Sequence, residues 1–231
     1  MIHPLPVVEV DSAPWRLSGV VYGTLLNHRP ALAALGDAVN AAPYKAAPVA
    51  PVLYQKPRNT LAGDGAQVVV PAGEAELELG AALGIVIGRT ACRVSEADAM
   101  NHVAGYLSVA DLCIPHESFY RPSLRFRARD GFCVLAPAVT PREAVADPDD
   151  LVVRVMVDGE VAQQSTTGER IRGVARLLAD VTDFMTLSPG DILMLGISAG
   201  APRVRAGQQA CITIGGLAPL NLGLVAEGAA Q

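Results

Sequence analysis

The sequence predicts one mixed α+β domain dominated by strands. Short apolar runs recur between turn signals, and the 231 residues include 22 glycines and 17 prolines, as expected for strands joined by tight turns. Hydrophobic residues make up 51% of the chain and aromatic residues only 4%. The core must therefore be built mainly from Ala, Val, Leu and Ile. Helical periodicity is limited to two or three segments.

The first half of the chain alternates between strand and helix signals. Pro30 suits the first turn of a helix, where its missing N–H would have no partner anyway. Ser95, followed three residues later by Asp98, approximates a capping box. We predict strands at 16–26, 52–56, 81–89 and 106–111, and helices at 30–40 and 96–104.

The second half begins with a hairpin signal. Asp158-Gly159 lies inside the apolar segment 151–164 and predicts a tight turn between two strands. A helix is predicted within 169–187, because five apolar residues recur there at helical spacing. These are Ile171, Val174, Leu178, Val181 and Met185. A strand at 192–197 and two strands within 209–225 complete the prediction.

Composition limits the location and the partners. The net charge of −5 argues against general binding to nucleic acid or to an anionic membrane. We expect a cytoplasmic protein, since the N-terminus lacks the features of a secretory signal and no apolar run is long enough to span a membrane. The cysteines are far apart and are expected to be reduced thiols: Cys92, Cys113, Cys133 and Cys211.

Three segments carry a family resemblance. They are "KPRNTLAGDG" (56–65), "ALGIVIGRTACRVSEADAMNHVAGYLSVAD" (82–111) and "MTLSPGDILMLGISAG" (185–200). In this order and spacing they resemble the fumarylacetoacetate hydrolase superfamily, whose members commonly show K-P-x-N-T, E-x-E-L-x-V-V-I-G, V-A-G-Y-x-x-x-N-D and L-x-P-G-D-x-I-x-T-G-T-P. The resemblance implies the β-roll or sandwich of the family's C-terminal domain, with a few helices. We expect an extension at 1–15 and one such domain at 16–231, of which 16–50 is a small N-terminal portion.

A narrower resemblance concerns one branch of this superfamily. "LNHRPAL" (26–32), "PYKAAP" (43–48) and "ESFYRPSLRFRARDGFC" (117–133) look like the N-terminal half, or separate N-terminal subunit, of the bifunctional isomerase/decarboxylases of 4-hydroxyphenylacetate degradation. This implies action on 2-hydroxyhepta-2,4-diene-1,7-dioate and 5-carboxymethyl-2-oxo-hex-3-ene-1,7-dioate. It also implies a paralogous C-terminal-type subunit, or further copies of this chain, as partner.

The resemblance leaves two alternatives open. One is a non-catalytic partner that stabilises a metal-competent paralogue. The other is a hydrolase of another acylpyruvate-type 2-oxo acid. The hydrolase is the weakest reading, because His28 stands at the family's tyrosine position and Ala31 where the hydrolase histidine would be.

Metal-binding family members hold Mg²⁺ or Mn²⁺ through the two glutamates of E-x-E and a later aspartate, hard oxygen ligands that suit these ions. Aligned on "VIGR", the two glutamates correspond to Gly80 and Ala82, and only Asp111 remains as a remnant ligand. Glu76 and Glu78 lie four residues early, about 13 Å along a strand. We therefore expect no metal in the usual manner, and Glu74, Glu76 and Glu78 are assigned to a solvated face.

Candidate substrate ligands are basic, because arginine binds carboxylates well. The resemblance aligns Arg127 with the family's active-site lysine and replaces T-G-T-P by "LGIS" at 195–198. Arg125, Arg127 and Arg129 alternate, so an extended backbone would aim all three the same way. The full set of candidates is Lys56, Arg58, Arg121, Arg125 and Arg127. Alternatively, the arginines pair with surface acids or line an interface.

Two residues are candidate proton shuttles for moving a double bond. Histidine side chains ordinarily titrate near neutral pH, so His28 could act as an acid and base, although a hydrogen-bonded structural histidine is the simpler interpretation. Asp111 follows a strand and could act as a base, as a remnant ligand or as a cap for the next turn.

Overall fold

The structure is a computed structural model, and it describes residues 20–42, 45–116 and 124–228. The predicted extension at 1–15 and the candidate Arg121 lie outside these ranges. The four helices in the described part are α1 (Arg29–Ala33), α2 (Glu96–Ala99), α3 (Leu124–Arg127) and α4 (Val174–Thr182). None of them is long and apolar enough to cross a membrane.

Strands dominate the described residues, as predicted. They are β1 (Val21–Leu25), β2 (Val52–Lys56), β3 (Leu61–Gly63), β4 (Ala66–Val70), β5 (Leu77–Ile87), β6 (Val103–Cys113), β7 (Cys133–Leu135), β8 (Thr140–Pro141), β9 (Val152–Val157), β10 (Glu160–Thr166), β11 (Ile192–Met194), β12 (Arg203–Val204), β13 (Gln209–Ile214) and β14 (Leu220–Ala226).

The strands form two sheets. The larger has the order β2-β1-β11-β5-β6-β7-β3, with β12 added to β5 and β8 added to β6. The smaller has the order β10-β9-β13-β14-β4. β6 contacts β13 and β14, and β5 contacts β9, so the two sheets pack against each other. One aliphatic core cluster extends through both sheets.

β5 and β6 form the centre of the larger sheet. They pair antiparallel, with Gly80 opposite Asp111 and Glu78 opposite Cys113. In each strand every residue is buried except the second. Such continuous burial explains the unbroken apolar run of β5, and it places any polar side chain here in a region of low solvent access.

Local signals are confirmed at three places. Asp158 and Gly159 both have positive φ, 51° and 88°, which suits the tight turn between β9 and β10. The Ser95 side chain accepts a hydrogen bond from Asp98 N at 3.2 Å and so caps α2. The predicted apolar face of α4 is buried at Val174 and Val181; it is also buried at the predicted Leu178, whereas Ile171 and Met185 lie beyond the helix ends.

Two predicted helices end early. The segment 30–40 breaks because Gly36 has a φ of 49°, and the chain continues as a 3-10 turn at Gly36–Asn40. The predicted helix at 96–104 ends at Ala99 and tightens into a 3-10 turn at Met100–His102, after which the long ladder of β6 begins.

Candidate functional site

A buried charge cluster surrounds Asp111 in β6. Its carboxylate lies 2.5 Å from Lys56 Nζ and 3.5 Å from Arg127 Nη1. The Tyr54 hydroxyl donates a hydrogen bond to its second oxygen. Cys113 nearby has its pKa raised by burial to about 12, so it stays neutral. One carboxylate therefore faces two cations.

Lys56, predicted to bind substrate, is fully occupied by the protein. Its ammonium donates to the carbonyl oxygens of Leu112, Arg127 and Phe132, at 2.9, 3.0 and 2.9 Å. The residue is 1% exposed. These hydrogen bonds connect β2 to β6 through Leu112 and to the start of β7 through Phe132. The Lys56 ammonium therefore stabilises the fold in this structure.

The arginine segment is not extended as predicted. Leu124–Arg127 is helical, and two helical positions differ by about 200° in direction, so Arg125 and Arg127 point to different sides. Arg125 and Arg58 are exposed, whereas Arg127 is buried. The expectation that the alternating arginines share one direction is wrong, because alternation aligns side chains only in a strand.

Arg127 lies between the Asp111 cluster and a cavity. Its guanidinium carbon is 4.9 Å from the centre of the Tyr54 ring. Burial disfavours its charge, but Tyr54 and Asp111 outweigh this effect and raise its pKa. Nε and Nη1 have no hydrogen-bond acceptor within the described ranges, although Nη1 keeps its ion pair with Asp111.

The cavity has a volume of about 250 Å³. Its wall is mostly apolar and comes from the end of β1, from α1 and from the loop after β11. Glu78 and Arg127 add charge, and Thr24 and Ser198 add hydroxyl groups. A mostly apolar cavity with few converging polar groups is typical of a small-molecule site.

The family's metal does not fit these residues. A β-carbon at residue 80 would lie only 2.6 Å from Ile197 Cδ1, so Ile197 fills the space next to Gly80. Ala82 is fully buried and brings no ligand, and the Asp111 carboxylate is already paired. Among the described residues there is no group of three or more His, Cys, Asp or Glu side chains that could hold a metal.

His28 is the N-cap of α1 and is held on both sides of its ring. Nδ1 accepts hydrogen bonds from Ala31 N at 3.3 Å and Ala199 N at 3.1 Å. Nε2 must then carry the proton, which it donates to Glu169 at 3.1 Å. Burial lowers the pKa of His28, and the bond to Glu169 only partly opposes this. The geometry favours the structural alternative, while the shuttle role stays a prediction.

The sequence did not single out Arg170 and Ser198. Arg170 is 3% exposed, and its Nη2 donates to Ser198 Oγ at 3.2 Å. Ser198 Oγ also lies 2.7 Å from Ser165 Oγ. Burial lowers the pKa of Arg170 to about 10. One arginine in a polar turn follows no periodic pattern, so no signal in the sequence marks it.

Glu78 has a second role besides the expected surface face. It lies 3.4 Å from Arg203 and is 31% exposed, and Glu76 lies 3.4 Å from Arg205 with 30% exposure. Glu78, unlike Glu76, also lines the cavity. Strand alternation puts it on the face of Gly80, and this signal could have identified it.

Comparison with known proteins now identifies the class. The family model described as "Fumarylacetoacetate (FAA) hydrolase C-terminal" matches residues 20–225, and the chain belongs to this family. A curated relative, the 4-hydroxyphenylacetate degradation bifunctional isomerase/decarboxylase of Escherichia coli, is 36% identical over 211 residues, which cover 91% of this chain and 48% of the relative. The chain thus spans about half the length of the curated relative it matches.

Solved structures support the same fold. A 2-hydroxyhepta-2,4-diene-1,7-dioate isomerase from Mycobacterium marinum is 28% identical with a TM-score of 0.77, covering 94% of this chain and 77% of that one. A fumarylpyruvate hydrolase from Pseudomonas aeruginosa, in complex with Mn²⁺ and pyruvate, has a TM-score of 0.81 over 98% of this chain and 99% of that one. At 22% identity, this second likeness concerns the fold alone.

Proposed function

We propose that this chain is one half of a two-part isomerase/decarboxylase that acts on unsaturated oxo-dicarboxylates and oxo-tricarboxylates in 4-hydroxyphenylacetate catabolism. A paralogous, metal-competent subunit is the expected partner. The proposal is supported by the similarity to half of the bifunctional relative and by the similarity to a 2-hydroxyhepta-2,4-diene-1,7-dioate isomerase. A cytoplasmic location stays part of the proposal.

The packing of Ile197 against Gly80 is the single observation that supports a metal-dependent partner and a metal-free subunit formed by this chain. Decarboxylation of a 2-oxo acid benefits from a metal that polarises the oxo group, and this chain has an isoleucine in that space. Tautomerisation requires only proton transfer and stabilisation of an enolate. We therefore assign decarboxylation to the partner.

Reconstitution tests the proposal. The purified chain and the paralogous subunit would be mixed at micromolar concentration, separated by size-exclusion chromatography and assayed for decarboxylation by ultraviolet absorbance with Mn²⁺ or with EDTA. We expect co-elution, and Mn²⁺-dependent decarboxylation only when the paralogue is present. Decarboxylation by this chain alone with Mn²⁺, or separate elution, would contradict the proposal.

A purely structural subunit is the second candidate. The specific observation in its favour is that His28 and Asp111, the two predicted shuttles, are both held by protein groups. This candidate predicts that the isolated chain has no isomerase activity, whereas the first leaves room for such an activity.

A further inference from the structure

Glu78 is the one carboxylate on the cavity wall among the residues that the structure describes. The other polar groups there are the Arg127 guanidinium and the hydroxyls of Thr24 and Ser198. Thr24 already donates to Met194 O at 2.9 Å. Because the carboxylate of Glu78 is 31% exposed, it contacts both the cavity and water.

The same cavity offers a cation that its neighbours do not saturate. In the described part of the chain, Asp111 is the carboxylate that forms ion pairs with both Lys56 and Arg127, so the two cations share one counter-ion there. Nε of Arg127 has no acceptor in the described ranges. A buried charged donor without an acceptor is costly, and a carboxylate of a ligand would remove that cost.

Ser198 can present a hydroxyl proton to the cavity. Arg170 Nη2 must donate to Ser198 Oγ, because a guanidinium has no acceptor. When Ser165 donates to the same oxygen across 2.7 Å, both lone pairs are used and the proton of Ser198 is free to point elsewhere. Ser198 lines the cavity, so this proton is available to an oxygen of a ligand.

We propose that this cavity is a metal-independent tautomerisation site for an unsaturated 2-oxo-dicarboxylate, in which Glu78 transfers the proton, Arg127 anchors a carboxylate and Ser198 donates to the enolate oxygen. Arg170 is a positioning residue that acts through Ser198. The substrate class rests on the proposed function, but the site itself requires no partner subunit.

The reaction conserves all atoms and electrons. In a 2-hydroxy-2,4-dienedioate, Glu78 takes the hydroxyl proton and the C2=O bond forms. The C2=C3 and C4=C5 double bonds become one C3=C4 double bond, and protonated Glu78 delivers a proton to C5. Ser198 stabilises the negative charge that develops on the oxygen at C2.

The test uses the isolated chain in excess EDTA with 2-hydroxyhepta-2,4-diene-1,7-dioate as probe, and ultraviolet absorbance follows the reaction. We expect the wild type to accelerate tautomerisation and Glu78→Gln to lower kcat by about 10²–10⁴-fold. Glu76→Gln is the matched control, because it removes a similar surface pair outside the cavity, and it should keep the wild-type rate. Circular dichroism checks that both variants are folded.

Two further substitutions examine the assigned roles. Ser198→Ala should lower kcat by about 10²-fold, and Arg170→Met should add little to that loss in the double variant, since it acts through the same hydroxyl. Additive losses would overturn the positioning role of Arg170.

The outcomes separate this inference from the proposed function. No metal-independent turnover by the wild type, or an unchanged rate in Glu78→Gln, overturns the inference even if the two subunits form an active complex. Turnover in EDTA that depends on Glu78 supports it, even if no paralogous subunit binds.

Discussion

The Asp111 cluster and the cavity wall share one face of the β5–β6 ladder, yet they differ in how their polar groups are used. Around Asp111, the charges of Lys56 and the hydroxyl of Tyr54 are paired within the protein. On the cavity wall, Glu78 and Ser198 line the space that a ligand would occupy, and Glu78 is 31% exposed although it pairs with Arg203. Asp111, which the family resemblance suggests as a remnant metal ligand, is thus held by protein groups.

The same comparison explains why position in the sequence alone does not identify the residues that face the cavity. The family resemblance suggests Asp111 as a metal ligand, but the residue is 1% exposed and forms ion pairs with buried cations. Glu78 aligns with no family ligand, but it lies two residues from Gly80 on the same strand face. Which side chains reach the cavity depends on tertiary packing, to which Ile197 and Arg127 contribute as part of its wall.

The largest loss in the free energy of unfolding is expected from Asp111→Ala. Removing the carboxylate leaves Lys56 and Arg127 buried without their shared counter-charge, and breaking such a buried pair costs about 3–5 kcal/mol. Urea denaturation would measure the loss in the free energy of unfolding. Glu169→Ala, which removes a half-exposed partner of His28, is the control and should cost far less. Equal losses would show that the Asp111 cluster is not a stabilising unit.

A smaller loss in the free energy of unfolding is expected from Gly80→Glu. The new β-carbon would meet Ile197 at 2.6 Å, and overpacking of this kind costs about 1–3 kcal/mol. Ile197→Ala in the same chain should relieve part of the cost, which a double-mutant cycle would measure. Calorimetric titration should detect no Mn²⁺ binding by Gly80→Glu. Additive effects of the two substitutions would mean that the packing contact does not exclude the glutamate.

Much of the fold could be predicted from the sequence, because its signals are local. The Asp158-Gly159 turn, the Ser95 cap and the apolar run of β5 each depend on neighbouring residues. Short strands such as β7, β8 and β12 were missed, since two or three residues carry no periodicity. They form because partners far along the chain supply their hydrogen bonds.

The site was less predictable, because its contacts join residues far apart in the chain and leave no local signal in the sequence. The family resemblance predicts that Gly80 and Ala82 replace metal-binding glutamates, but the contact of Ile197 with Gly80 joins residues far apart in the chain. Whether Arg127 points to the cavity depended on its segment being helical. The link from Arg170 to Ser198 is likewise a tertiary contact that no spacing rule predicts.

The smallest effect is expected from His28, whose ring links α1 to the loop after β11. His28→Ala removes the N-cap bond and the bond from Ala199 N, so we expect a loss of about 1–2 kcal/mol in the free energy of unfolding. The tautomerisation rate in EDTA should change far less than in Glu78→Gln. A comparable fall in kcat would restore His28 as a shuttle and remove the contrast between the two regions.

The pH dependence of stability sharpens this last prediction. Burial lowers the pKa of His28, so the unfolded chain binds a proton there more readily than the folded chain. The stability contributed by the neutral ring is therefore present above a pH of about 6.5 and is lost as the pH falls through the lower folded value.

His28→Asn is the matched variant, because asparagine also caps helices but does not titrate. Urea titrations between about pH 7.5 and about pH 5.5, one pH unit on either side of the ordinary histidine pKa, should show a steeper loss for the wild type. Parallel curves would mean that the His28 ring accepts its proton in the folded state as easily as in water.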